Sequence, residues 1–109
     1  MKPDVTLIIT NWNGSGLLRE CLPTVLEAVK FDSHHLYEVM VIDDCSTDNS
    51  LKVLADEFPE IRTEKTPHNL GFQEANNYAV SLADSKIVMP MNNDIKLDPK
   101  ALYHLIQYF

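Results

Sequence analysis

Two short stretches of this chain hold the residues best suited to chemistry. In Lys86-Ile87-Val88-Met89-Pro90-Met91-Asn92-Asn93-Asp94 a short apolar run stops at two amides and a carboxylate. In Val39-Met40-Val41-Ile42-Asp43-Asp44 a second apolar run stops at two carboxylates. Such groups at a strand's C-terminal end lie where open α/β sheets hold their ligands. Mg²⁺ keeps several waters and bridges one or two carboxylates to substrate phosphates, so Asp94 and a diphosphate would suffice for a site. The same residue types favour turns, which leaves a plain turn at 92–94 as the competing reading. Asp43 and Asp44 are suited to accept from a base imide and a ribose hydroxyl, or to cap the helix through Cys45-Ser46-Thr47. We read one residue for each job. Asp98-Pro99 reads as an N-cap and N1 pair, and Asp48 as a first-turn residue favoured by the helix dipole.

The elements that must position these groups are legible in order. Val5-Thr6-Leu7-Ile8-Ile9-Thr10 is β-branched and apolar on both faces, as in a buried parallel strand. The polar turn Asn11-Trp12-Asn13-Gly14-Ser15-Gly16 follows. Leu17, Leu18, Cys21, Leu22, Val25, Leu26 and Val29 form one helical stripe. Pro23 within it predicts a late helix start or a slight kink. Phe31 to His35 reads as a loop, Tyr37 to Ile42 as the second strand, and Asp43 to Ser50 as a run dense in N-cap residues. A helical stripe of Leu51, Leu54, Ala55 and Phe58 closes at Pro59. Ile61 to Thr66 is a weaker strand whose scattered charges suit a sheet edge. After the loop Pro67-His68-Asn69-Leu70-Gly71-Phe72, a helix carries Ala75, Tyr78, Ala79 and Leu82, and the Asn-Asp strand follows. The final helix carries Leu102, Leu105 and Ile106.

The order β-α-β-α-β-α-β-α predicts a parallel-sheet, Rossmann-like α/β/α sandwich with helices on both faces. In that architecture Thr10-Asn11, Asp43-Asp44, the loop around Gly71 and Asn92-Asn93-Asp94 collect along one edge of the sheet. Gly71 is read as a left-handed or close-approach backbone position, and Phe72 beside it as core.

Composition excludes several classes. With 109 residues there is room for one domain. A net charge of −7 argues against a nucleic-acid partner, although a divalent metal can reverse the local sign at a nucleotide site. Cys21 and Cys45 lack CxxC spacing and read as unpaired thiols in a reducing compartment. His34-His35 and His68 lack zinc-ligand spacing and read as solvated loop residues. No run approaches the roughly 18 apolar residues of a membrane span, and Met1-Lys2-Pro3-Asp4 lacks a signal peptide's apolar region. The expected location is cytoplasmic, or peripheral at the inner membrane face. Asn13-Gly14-Ser15-Gly16 contains neither GxGxxG nor GxxxxGK[ST], which disfavours hydride transfer and P-loop phosphoryl transfer.

Four motifs in order now resemble the inverting family-2 glycosyltransferases of the GT-A fold. They are Val5 through Gly14, Val41 through Ser50, Asn69-Leu70-Gly71-Phe72 with Asn76-Asn77, and Met91-Asn92-Asn93-Asp94. The Gly71-Phe72 and Asn92-Asn93-Asp94 forms look most like rhamnosyltransferase-type members. The resemblance implies a nucleotide-diphospho-sugar donor at the strand ends and an acceptor sugar or lipid-linked glycan. It places Thr10, Asn11 and Asn13 at the nucleotide pocket, Asp43 at the base and Asp44 beside it, with Gly71 and Asn76 in the donor site. Asp94 matches the last Asp of the family's DxD motif, which holds Mn²⁺ or Mg²⁺ on the diphosphate. Asn92 stands where that motif has its first Asp, so ribose contact there would be by amide, with Asn93 between them. Asn76 stands where many members carry Arg.

The family's general base lies beyond the metal motif, and here only one helix follows that motif. Leu105-Ile106-Gln107-Tyr108-Phe109 ends without a cap or polar tail, as if cut inside a larger protein. Residues 1–109 are therefore expected to be the donor-binding part of a truncated GT-A domain, without the acceptor-binding half. The chain is expected not to turn over alone and to self-associate through the cut edge. Two readings from other classes stand beside this one. A nucleotide- or partner-binding module without chemistry fits the missing acceptor half. A receiver-like signalling domain needs a third strand ending in Asp, whereas this one ends in Thr66-Pro67.

Overall fold

The computed structural model describes residues 2–109. The elements alternate as β1 (Val5–Asn11), α1 (Ser15–Phe31), β2 (Tyr37–Asp43), α2 (Ser50–Glu57), β3 (Arg62–Lys65), α3 (Phe72–Leu82), β4 (Ile87–Asn92) and α4 (Ala101–Ile106). The strands form one parallel sheet in the order β3-β2-β1-β4. The α/β class and the edge position of the third strand are as the sequence predicts.

Period-two alternation along the inner strands divides the core between the sheet faces. Val5, Leu7 and Ile9 of β1 and Val39 and Val41 of β2 pack with Leu18, Leu22 and Val25 of α1, Val53 and Leu54 of α2, and Leu102 and Ile106 of α4. The alternate residues Ile8, Met40 and Ile42 face Ala79 of α3, with Tyr78 and Leu82 beside it. All seven residues of β1 are buried. Each large aliphatic side chain buried in this way contributes about 1.5–3 kcal/mol relative to exposure. β1 is therefore the rigid spine from which the loops project. Pro90 lacks a backbone donor and sits in β4, an edge strand of this sheet, where proline is tolerated.

Several local expectations are corrected. Helix α1 begins at Ser15 and runs through Pro23, so the helix does not start late, and Phe31 belongs to it rather than to the loop. Leu17 and Leu105, assigned to apolar stripes, are 42% and 45% exposed. Helix α2 begins only at Ser50, and its buried face is Ser50, Val53 and Leu54, with Ala55 turned to solvent. Asp48 is consequently not in the first helical turn. It lies ahead of the helix, and its Oδ1 accepts from the Ser50 N–H at 2.9 Å. Helix α4 begins at Ala101 rather than Pro99. Asp98 instead closes the preceding turn, accepting from Lys100 N–H at 2.9 Å.

Register fixes the site. Asn11 lies opposite Asp43 on one side of β1, and Thr10 lies opposite Asn92 on the other. All four polar strand-end groups therefore reach one edge.

Candidate functional site

A cleft of about 430 Å³ opens at that edge. Its floor is Thr10 and Gly14, with Asn92, Asn93 and Asp94 from the end of β4 on one side. Asp44, Asn69 and Gly71 line the β2 side, and Asn13 joins from the first loop. Trp12, Leu17 and Phe72 supply apolar surface and are 59%, 42% and 55% exposed. Apolar walls with a few convergent polar groups are what a small-molecule site requires.

The pair Asp43-Asp44 divides its work, though not as far as the sequence implies. Asp43 is 0% exposed and does not line the cleft. Its Oδ1 accepts from Asn11 Nδ2 at 2.9 Å and Ser46 Oγ at 2.7 Å, and its Oδ2 accepts from Ser46 N–H at 3.0 Å. Expected at the base, Asp43 is instead the anchor behind the wall, because its acceptor capacity goes to the turn that leaves β2. The cap it supplies serves that turn, since α2 begins later, at Ser50. Asp44 is the cleft-facing member. It is 3% exposed, and its Oδ1 accepts from Thr66 Oγ1 and Leu70 N–H, both at 2.8 Å. Its Oδ2 accepts from Gly71 N–H at 2.9 Å. An ionised carboxylate has about four acceptor positions, which leaves one for a ligand. Gly71 adopts φ +83°, a region that suits glycine, and this brings its N–H onto Asp44.

The first loop is tied down by the same web. Asn13, at φ 51°, accepts through Oδ1 from the backbone N–H groups of Thr47 and Asp48 at 2.6 and 3.1 Å. Its own N–H donates to Ser46 Oγ at 2.9 Å. Asp48 Oδ2 accepts from Ser15 N–H at 3.2 Å, joining the start of α1 to the start of α2. Burial would raise the Asp48 carboxyl, but hydrogen bonds from Ser50 and Ser15 outweigh it and hold the group below the usual carboxylate range. Thr10 lines the cleft and donates through Oγ1 to Asn76 Oδ1 at 2.6 Å. Asn76 sits behind Thr10, tying α3 to β1, and is not on the wall. Asn11 is likewise buried, at 0% exposure, and lies outside the lining.

The β4 end is built differently. Asn92 and Asp94 are exposed and line the cleft. Asp94 also borders a small recess with Glu20 and Cys21 of α1. Burial first, and then the Asp94 charge, push the Cys21 thiol up to about 11. A thiol in that state is protonated at neutral pH. Among the described residues no group of three His, Cys, Asp or Glu side chains is close enough to cage a metal. The donor set at Asp94 is one exposed carboxylate beside an amide. That fits a hard cation completed by diphosphate oxygens and water, and it does not fit a structural zinc site.

Sequence reasoning missed Trp12, Gly14, Leu17 and Asn69 as wall residues and assigned Phe72 to the core. A signal existed for one of them, an aromatic in an otherwise polar turn at Trp12. Phe72 opens α3 from its exposed first turn, which is why it points at the cleft rather than the sheet.

Known proteins share this fold. The fold superposes on the S. aureus TarS 1–349 complex with UDP-GlcNAc at a TM-score of 0.79, with 21% identity, over 99% of this chain and 31% of that one. It also matches the mannosyltransferase PcManGT from Pyrobaculum calidifontis, in complex with GDP-Man and Mn²⁺, at a TM-score of 0.70 and 24% identity, over 92% of this chain and 30% of that one. The fold is therefore of the GT-A type. In sequence, the chain is 29% identical to the chondroitin synthase of Pasteurella multocida (strain Pm70), over 98% of its own length and 11% of that protein. It is 28% identical to an uncharacterized protein of Sinorhizobium fredii, over 96% of its own length and 12% of that protein. The chain thus spans about an eighth or less of the length of these relatives. The model of glycosyl transferase family 2 matches residues 6–109, nearly the whole chain, and the chain belongs to that family.

Proposed function

We propose that this chain binds the donor of a metal-assisted, inverting glycosyl transfer, in which a sugar passes from a nucleotide-diphospho-sugar to an acceptor hydroxyl. The observation that carries the reading is the cleft's polarity. An exposed carboxylate, Asp94, stands opposite a nearly buried one, Asp44, with exposed aromatic surface from Trp12 and Phe72 on the same cleft. Aromatic surface suits a base or a sugar face, and Asp44 has acceptor capacity left for an imide or hydroxyl donor. Asp94 with Asn92 fits Mg²⁺ or Mn²⁺ shared with a diphosphate. A divalent cation there supplies neutralisation of the charge that develops on the leaving diphosphate. The chain's own residues hold the donor, shield one face of it and fix its orientation. Solved neighbours hold UDP-GlcNAc and, with Mn²⁺, GDP-Man, which supports a nucleotide-sugar ligand.

In this reading the general base that deprotonates the acceptor lies outside residues 1–109, so the chain binds donor without turnover. The acceptor is a sugar or a lipid-linked glycan, and the chain self-associates through its β4 and α4 side. It works in the cytoplasm or peripherally at the inner membrane face. Among the described residues no helix is long and apolar enough to cross a membrane.

Calorimetric titration with UDP, dTDP and GDP, each with and without Mn²⁺, tests the reading. One diphosphate is expected to bind and to need the metal. Binding of none, or binding indifferent to the metal, would overturn it.

A further inference from the structure

We infer that Asn11 and Asn93 form an amide bridge beneath the cleft, and that Asn93 is a positioning residue that aims Asn92 and Asp94 rather than a donor contact. The binding consequence rests on the donor-site reading above. The bridge itself does not.

The polarity of the bridge is forced. Asn11 is 0% exposed, and its Nδ2 faces the Asp43 carboxylate at 2.9 Å and Ser46 Oγ at 3.3 Å. An ionised carboxylate only accepts, so the Asn11 amide must present nitrogen to Asp43 and oxygen to the other side. Asn93 Nδ2 donates to that oxygen at 2.9 Å. Asn11 must therefore be an amide, because it donates and accepts in a single fixed orientation, and Asn93 must bring a donor to it.

Gly14 gives an independent mark of the same contact. A Cβ built there would stand 2.4 Å from Asn93 Nδ2 and 2.8 Å from Asn11 Oδ1. The backbone of the first loop therefore lies directly against the bridge, and only glycine leaves room for it. The bridge thus joins β4, β1 and the first loop at one point, with Asp43 of β2 behind it. Asn93 is half-buried between two exposed neighbours, Asn92 and Asp94. Holding the middle side chain down onto the spine of the sheet sets the direction of the two beside it. The sequence places Asn11 and Asn93 among the donor contacts, whereas the geometry commits Asn93 Nδ2 to Asn11 Oδ1 and Asn11 Nδ2 to Asp43.

Two measurements test this on the full chain. Without ligand, the side-chain NH₂ protons of Asn93 should exchange with solvent about tenfold more slowly than those of exposed Asn92, as hydrogen-bonded groups do. Equal rates would overturn the bridge. With UDP, dTDP or GDP and Mn²⁺, Asn93→Ala and Asn93→Asp should each lower the metal-dependent affinity about tenfold, or roughly 1.4 kcal/mol. Asn93→Asp is the decisive variant. It keeps the shape and adds a carboxylate near the metal position, but it sets an acceptor against Asn11 Oδ1. Affinity that is unchanged or raised in Asn93→Asp would show Asn93 to be a direct ligand and overturn the positioning role. If the unmodified chain binds none of the diphosphates, the donor-site reading fails, while the exchange rates still decide the bridge.

Discussion

The ends of β2 and β4 flank the same strand and both finish in Asp, yet they are built for opposite work. At the β2 end, Asp43 and Asp44 are 0% and 3% exposed, and their oxygens accept from Asn11, Ser46, Thr66, Leu70 and Gly71. At the β4 end, Asp94 is exposed and borders open volume. A fully buried carboxylate off the cleft, as at Asp43, is spent on holding loops. An exposed one at a cleft retains its charge for a ligand. The contrast says that acidic residues at a strand end become a site only where the surrounding chain leaves their oxygens unclaimed.

Substitutions should separate the two ends by where the free energy is lost. The largest effect is expected at Asp43→Ala, which strips acceptors from buried donors on Asn11 and Ser46 and should cost about 3 kcal/mol, read by urea unfolding. Asp44→Ala should cost roughly 2 kcal/mol and speed amide exchange at Leu70 and Gly71, whose N–H groups lose their acceptor. Gly71→Ala has open space around it, so its cost is backbone strain alone at φ +83°, about 1 kcal/mol. The same unfolding curve reads it.

A smaller, pH-dependent effect belongs to Asp48. Its folded carboxyl lies below the ordinary value of 3.8, because the bonds from Ser50 and Ser15 outweigh the burial that would raise it. The ionised form is thus favoured more in the folded chain than in the unfolded one. Its contribution is fully present above the unfolded value and is lost as the pH falls through the folded one. Asp48→Asn should flatten the loss of stability below about pH 3.8, measured by unfolding at stepped pH. An unchanged slope would remove Asp48 from the web.

How much of this was legible depended on the kind of signal. The sheet was readable because Val5–Thr10 and Val39–Ile42 are uninterrupted apolar runs, and their alternation with helical stripes leaves few topologies. The convergence of strand ends followed from that topology. Helix starts were less legible, since Asp48 and Asp98 carry cap chemistry but act one turn earlier, in the loops. A division of work between Asp43 and Asp44 was legible, but not which of them faces the cleft. Asp43, Asp44 and Asp94 differ in which backbone and side-chain donors reach them, and that is settled largely by the loops at 45–49 and 67–71. Trp12 and Phe72 escaped for a related reason: exposure of a large apolar side chain is decided by the direction of one loop, not by residue type.

The claim that Asp94 is free to act while Asp43 is structural is tested most directly with Asp94→Ala. Unfolding and Mn²⁺-dependent diphosphate titration should be run on the same preparation. We predict a stability change within about 0.5 kcal/mol, as for a surface position, together with loss of metal-dependent binding. A variant that keeps Mn²⁺-dependent affinity would contradict the assignment of Asp94, and one that unfolds would contradict the contrast between the two strand ends.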